Sequence, residues 1–119
     1  MENKRALGSR YEQQAAEYLR NKGYAVLESN FRMRTGEIDL ICLSPDRSVY
    51  VFVEVKYRSD DATAALEAVN LKKQQQIVRT ALRYIHAHPQ MADAAMRFDA
   101  VGIDSKGCVI HVENAFDAV

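Results

Sequence analysis

Two apolar runs, each interrupted by acids, constrain this chain more than any other feature. Ile38 to Leu43 is apolar except at Asp39, and Val49 to Lys56 is apolar except at Glu54 and Lys56. Runs this continuously apolar read as strands covered on both faces, where a charge is costly unless it is paired or bound to an ion. Alternation puts Phe52, Glu54 and Lys56 on one face of their strand, and Glu37, Asp39 and Ile41 on one face of theirs. If the two faces coincide, two carboxylates and an ammonium converge in one cleft. The alternative is a buried Asp–Lys or Glu–Lys ion pair, but two carboxylates sharing one amine leave excess negative charge that calls for a cation.

The surrounding chain supplies a frame for these strands. The pattern predicts a helix over roughly Arg5 to Lys22, closed by Gly23. YAVLESNF (24–31), EIDLICL (37–43) and SVYVFVEVKYR (48–58) follow as strands, and their short connections favour an antiparallel meander. A second helix spans about Leu71 to Ala87 and ends before Pro89. RFDAVGID (97–104) and CVIHVEN (108–114) complete the order α-β-β-β-α-β-β. A strand, a helical crossover and another strand imply parallel pairing. The expected fold is α/β, a mixed five-stranded sheet flanked by helices.

Composition fits one globular domain over residues 1–119: 48% of residues are apolar and 27% charged, with five glycines and two prolines. No apolar run approaches the roughly 18 residues needed to span a bilayer, and the N-terminus has no apolar core of a secretory signal. Cys42 and Cys108 lie in apolar runs and read as buried free thiols. These features predict a cytoplasmic protein without membrane association. No CxxC or HxxxH spacing suggests zinc, and His86 and His88, two apart near a helix end, point away from each other. Net charge is zero, yet residues 1–83 carry 14 Lys/Arg against 11 Asp/Glu and residues 84–119 carry 2 against 5. The asymmetry permits a basic face.

The first helix adds a further acid. Gly8, Tyr11, Ala15, Ala16, Tyr18 and Leu19 form one apolar stripe, and Glu12 falls within it while Glu17 points the opposite way. A carboxylate on a core face needs a partner: a salt bridge to Arg32, Arg34 or Lys56, or membership of the Asp39–Glu54–Lys56 site. Three carboxylates and a lysine suit metal-assisted phosphodiester hydrolysis, with hard oxygen ligands for Mg²⁺ or Mn²⁺. Lys56 would serve the attacking water and offset charge on the phosphate.

The second helix has Leu71, Ile77, Val78, Ala81, Leu82 and Ile85 on one side and Lys72, Gln76, Arg79 and Arg83 on the other. This is either an ordinary solvated face or a phosphate-contacting stripe. Arg32, Arg34 and Arg58 would extend such a stripe around the cleft mouth, and the small polar stretch Ser59 to Ala65 either orders on nucleic acid or is a passive connector. Glu37 reads equally as a salt-bridge partner of an arginine or as a metal ligand. The tyrosines read as core or boundary residues, and Asp99 and His111 as edge-exposed or hydrogen-bonded.

Asp39 followed fifteen residues later by Glu54-Val55-Lys56 resembles the PD-(D/E)XK nuclease signature, with Ile38 at the proline of the name. From GSRYEQQAAEYL through NFRMRTGEIDLI and VFVEVKYR to RFDAV, the chain is similar to the YraN-like bacterial family, which is related to Holliday-junction resolvases and restriction endonucleases. The resemblance implies a restriction-endonuclease-like α-β-β-β-α-β core and a metal-dependent endonuclease acting on DNA, branched or structured DNA included, with RNA an open alternative. It implies Asp39 and Glu54 as metal ligands, Glu12 as the acidic residue of the first helix, and Lys56 as the catalytic lysine. The resolvases act as dimers, so a homodimer is a further expectation. Two other classes stay open: a non-catalytic nucleic-acid-binding module on the same scaffold, and a structural protein whose acids form an ion-pair network.

Overall fold

Gly23 closes the first helix as the sequence requires. Its φ is +95°, and the bonds Gly23 N–H to Arg20 O and Tyr24 N–H to Leu19 O cap the last turn. A computed structural model describes residues 4–59, 61–62 and 69–117, the side chains of 4–9 excepted. Helix α1 is Lys4–Asn21, followed by strands β1 (Ala25–Met33), β2 (Gly36–Leu43) and β3 (Val49–Tyr57). Helix α2 (Leu71–His86), a short 3₁₀ turn (Pro89–Met91), β4 (Ala95–Ile103) and β5 (Val109–Phe116) follow. Every expected element is present, with no end shifted by more than two residues. Gly8 of the predicted stripe, and positions 60 and 63–65 of the Ser59 to Ala65 stretch, lie outside the described side chains or residues.

The sheet is five-stranded and mixed, in the order β1-β2-β3-β4-β5. β1, β2 and β3 form an antiparallel meander, β4 lies parallel to β3, and β5 returns antiparallel. The crossover through α2 produces the parallel pair. Two apolar layers cover the sheet. On the α1 side, Ala15, Ala16 and Leu19 pack on Leu40, Cys42, Val51, Val53, Val101 and Ile103. On the α2 side, Ile77, Ala81 and Tyr84 pack on Ile38, Ile41, Phe52, Phe98 and Phe116. Full burial of residues such as Phe52 and Leu40 contributes about 1.5–3 kcal/mol each.

Two expectations are corrected and one open alternative is settled. The buried face of α2 is Ile77, Thr80, Ala81 and Tyr84, whereas Leu71 and Leu82 are 64% and 49% exposed; the helix is rotated about its axis relative to the stripe that apolarity alone suggests. Cys108 is exposed in the β4–β5 turn and only Cys42 is buried, where burial pushes its thiol up to about 12. Of the two alternatives for Asp99, the hydrogen-bonded one holds: it is fully buried on β4, an interior strand, and accepts from Arg97 and the Asn114 N–H. No helix among the described residues is long and apolar enough to cross a membrane.

Candidate functional site

The pleat of β2 is broken at one residue. Ile38 and Leu40, two apart, would share a face in a regular strand, yet Ile38 joins the α2-side core and Leu40 the α1-side core. Asp39 sits at that break. The β2–β3 pairing runs from Leu43 with Tyr50 to Leu40 with Val53 and ends there. By contrast, β1–β2 pairing continues to Met33 with Gly36, and β3–β4 pairing to Tyr57 with Ile103. The sheet therefore forks, and Asp39 and Glu54 are the first residues beyond the fork on either side. The Val55 N–H, released from the ladder, donates to Asp39 Oδ2 at 2.7 Å.

Each arm of the fork brings further charge. From α1, half-buried Glu12 reaches across so that one carboxylate oxygen each of Glu12, Glu37 and Asp39 lie within 4.8 Å of one another. Glu12 Oε2 is buried without a hydrogen-bond partner among the described residues, and so is Glu54 Oε2. Burial first, and then the Asp39 charge, push Glu12 up to about 7 and Glu54 up to about 8. Asp39 is also raised, mainly by burial, although the Val55 N–H and the Lys73 charge oppose the shift. Lys56, two residues beyond Glu54 on the same face of β3, favours the Glu54 carboxylate through its charge. Glu12, Asp39 and Glu54 thus gather at the fork, with Lys56 near enough to act on Glu54 through its charge. Glu37 joins the carboxylates and also meets Arg32, whose Nε is 3.6 Å from Glu37 Oε2, so its salt-bridge reading holds.

Lys73 is the residue that sequence reasoning passed over. Its Nζ stands 4.0 Å from Glu54 Oε1. The signal was present in α2: Lys73 lies one turn before Ile77 and two turns before Thr80 and Ala81, on the buried stripe. It is the same pattern that singled out Glu12 in α1.

The basic candidates divide into two groups. Lys72, Gln76 and Arg79 line a cavity of about 270 Å³ with Thr35, Asn70 and Lys73. Arg32 and Gln76 line an adjoining one of about 400 Å³ with Met33, Gly36, Glu37 and Lys73. Gln76 is held there by packing over Gly36, where an added Cβ would fall 2.3 Å from Gln76 Cγ. Arg34 in the β1–β2 turn, Arg58 at the end of β3, and Arg83 one turn beyond Arg79 are exposed and line neither cavity.

A separate polar cluster lies on the α1 side of β4. The Arg97 Nε and Nη2 groups donate to Asp99 at 2.8 Å each, and the Asn114 N–H donates at 3.0 Å. His111 Nε2 is 2.7 Å from Asp99 Oδ2, and Lys22 Nζ is 2.9 Å from His111 Nδ1. Arg97 also donates to the Tyr24 hydroxyl at 2.6 Å. This network is satisfied throughout, so its reading is structural.

These features define an α/β protein whose mixed sheet forks around a cluster of buried and half-buried carboxylates, with basic grooves on one flank. The chain belongs to the uncharacterised protein family UPF0102, which it matches over residues 11–103. It is 44% identical over 115 residues to a UPF0102 protein of Alkaliphilus oremlandii, covering 92% of this chain and 97% of that one. It is 42% identical over 107 residues to one of Vibrio vulnificus strain YJ016, covering 88% and 86%. A Marinobacter nauticus relative is 40% identical over 122 residues, covering 98% and 97%. Among solved structures it is similar to Pyrococcus furiosus SfsA in complex with Ca²⁺, at 11% identity and a TM-score of 0.31. That similarity covers 90% of this chain and spans 62% of the SfsA chain.

Proposed function

We propose that this protein is a Mg²⁺- or Mn²⁺-dependent endonuclease that hydrolyses phosphodiester bonds of DNA, branched or otherwise structured DNA included. The observation that carries the reading is the fork itself. Two carboxylate oxygens, on Glu12 and Glu54, are buried beside Asp39 without hydrogen-bond partners among the described residues. Buried polar oxygens are nearly always met by a donor, an ordered water or an ion, and several carboxylates in one place favour an ion. The donor set is all carboxylate oxygen, which suits a hard divalent cation and fits no soft metal. Asp39 and Glu54 would hold it, with Glu12 and Glu37 at hand for the same ion or a second one. A bound divalent ion supplies a water of lowered pKa and polarises the phosphate.

The protein's own groups do the rest. Lys56 orients the attacking water and stabilises negative charge growing on the phosphate oxygens. Lys72, Arg79 and Arg32 grip the strand through its phosphates, which supplies affinity without reading sequence. The Asp39–Val55 bond keeps the carboxylate aimed into the fork.

The test is a cleavage assay on labelled duplex, single-stranded, flap and four-way-junction DNA with Mg²⁺, Mn²⁺ or chelator, comparing wild type with Asp39→Asn and Lys56→Ala. Metal-dependent products that vanish in both variants support the reading. Retained binding without products from any substrate overturns it in favour of a non-catalytic DNA-binding module.

A further inference from the structure

The charges around the fork are distributed unequally. The α2 flank carries Lys72, Lys73 and Arg79 in one cavity and Arg32 with Lys73 in the next, against the single acid Glu37. The α1 flank opens as a cavity of about 660 Å³ lined by Glu12, Gln13, Glu17, Arg20, Ser29 and Asn30, with two acids and one base. A phosphate is drawn to the first flank and repelled from the second. Lys73 lines both cavities of the α2 flank and stands 4.0 Å from Glu54. Among the described residues it is therefore the one lysine common to both grooves and in reach of the carboxylates. At 4.0 Å it does not hydrogen-bond Glu54, so its ammonium is available to a second anion. Its backbone is fixed, because the Lys73 N–H donates to the Asn70 side chain at 2.9 Å. Its side chain, 36% exposed, lies one turn before the buried Ile77.

We propose that Lys73 binds the phosphate adjacent to the cleaved bond, and that the substrate strand leaves the fork along α2, so that phosphate recognition lies on one side of the cleaved bond only. The inference rests on the phosphodiester reading above. It deepens that reading by stating what the substrate must contain: a strand that continues past the cleaved bond with its anionic backbone intact on one side. An ammonium at this junction fixes the register of the strand, because a phosphate on Lys73 brings the next one over Asp39 and Glu54. Lys56 and Lys73 then have separate tasks, the first at the cleaved phosphate and the second at its neighbour.

The experiment uses the full chain and the DNA found to be cleaved, prepared with a neutral methylphosphonate in place of the phosphate on one side or the other of the cleaved bond. Wild type should lose roughly tenfold in kcat/KM with one of the two substrates and stay near its normal rate with the other. Lys73→Met should cost roughly as much on normal DNA, mostly in KM, and should lose nothing further on the sensitive substrate, while Lys73→Arg recovers most of the activity. Matching circular dichroism and melting curves would show that Lys73→Met is folded. Equal sensitivity on the two sides, or additive losses for Lys73→Met and methylphosphonate, would overturn the inference and leave the hydrolysis standing. If wild type cleaves no DNA, the hydrolysis reading fails, and fluorescence anisotropy of labelled DNA in Ca²⁺ then tests Lys73 by itself. There Lys73→Met should weaken binding roughly tenfold and lower the salt slope by about one; unchanged affinity and slope would overturn the role of Lys73.

Discussion

Asp39 Oδ2 accepts a 2.7 Å hydrogen bond from the backbone N–H of Val55, a residue of the neighbouring strand, at the point where the two strands part. One side chain thus terminates the β2–β3 ladder and turns its carboxylate into the gap that the termination opens. The same bond links architecture to chemistry, because any change at Asp39 acts on both.

Substitutions at Asp39 should separate these two roles. Asp39→Asn keeps an oxygen for the Val55 N–H and removes the charge that raises Glu12 and Glu54. Metal-dependent cleavage should fall by about 100-fold or more, while the metal-free melting temperature stays level or rises. Asp39→Ala also strands the Val55 N–H and should cost about 1–3 kcal/mol of stability by denaturant titration. Equal stabilities for the two variants would contradict the bond's part in holding the fork.

The carboxylates should imprint a pH dependence on the metal-free protein. Glu54 at about 8 and Glu12 at about 7 lie above their ordinary 4.5, so between those values the folded chain holds more protons than the unfolded one. Stability contributed by these groups is complete only below their ordinary 4.5 and is lost as pH rises from there toward about 8. Thermal melts in chelator should show this decline, and Glu54→Gln should flatten it. Divalent ion should stabilise the protein more at pH 8 than at pH 6, since ligation requires the ionised carboxylates.

The Asp99 cluster should behave in the opposite sense. Burial by itself would raise Asp99, but hydrogen bonds from His111, Arg97 and the Asn114 N–H outweigh it and hold the carboxyl below its ordinary value. Its stabilisation is present above about pH 4 and is lost as acid is added. Asp99→Ala leaves the Arg97 guanidinium without its buried partner and should cost about 3–5 kcal/mol. Isothermal titration of Mn²⁺ should find the ion affinity of that variant unchanged, because the cluster contributes nothing to the fork.

Gly36 offers a packing test. Its φ of +148° and the 2.3 Å approach of Gln76 Cγ to an added Cβ leave no room for alanine without displacing Gln76. Gly36→Ala should cost about 1–3 kcal/mol. In the Gln76→Ala background the steric part should disappear, leaving the backbone strain, so the double-mutant cycle should be non-additive by more than about 0.5 kcal/mol. Additivity would mean that Gln76 swings away freely.

Helices, strands and their order were legible in the sequence because they are set by local chemistry: helical stripes, continuous β-branched runs, Gly23 at a helix end and Pro89 after another. The candidate carboxylates were legible for a related reason, since an acid within an apolar stripe or strand contradicts its surroundings and must be met by something. What only the tertiary structure decided was where these anomalies meet. Strand parity placed Asp39 with Ile41, but the pleat breaks at Asp39, and a break is set by cross-strand pairing and by the packing of both layers. Lys73 and Lys72 look alike as neighbouring letters, yet the rotation of α2 puts Lys73 against Glu54 and Lys72 at the cavity edge. That rotation was misjudged from apolarity, because Leu71 and Leu82 are outside while Thr80, bonded to the Gln76 carbonyl and paired with Thr35 at 2.9 Å, is inside. A helix is turned by the shape and hydrogen bonds of the surface it meets, and those belong to residues distant in the chain.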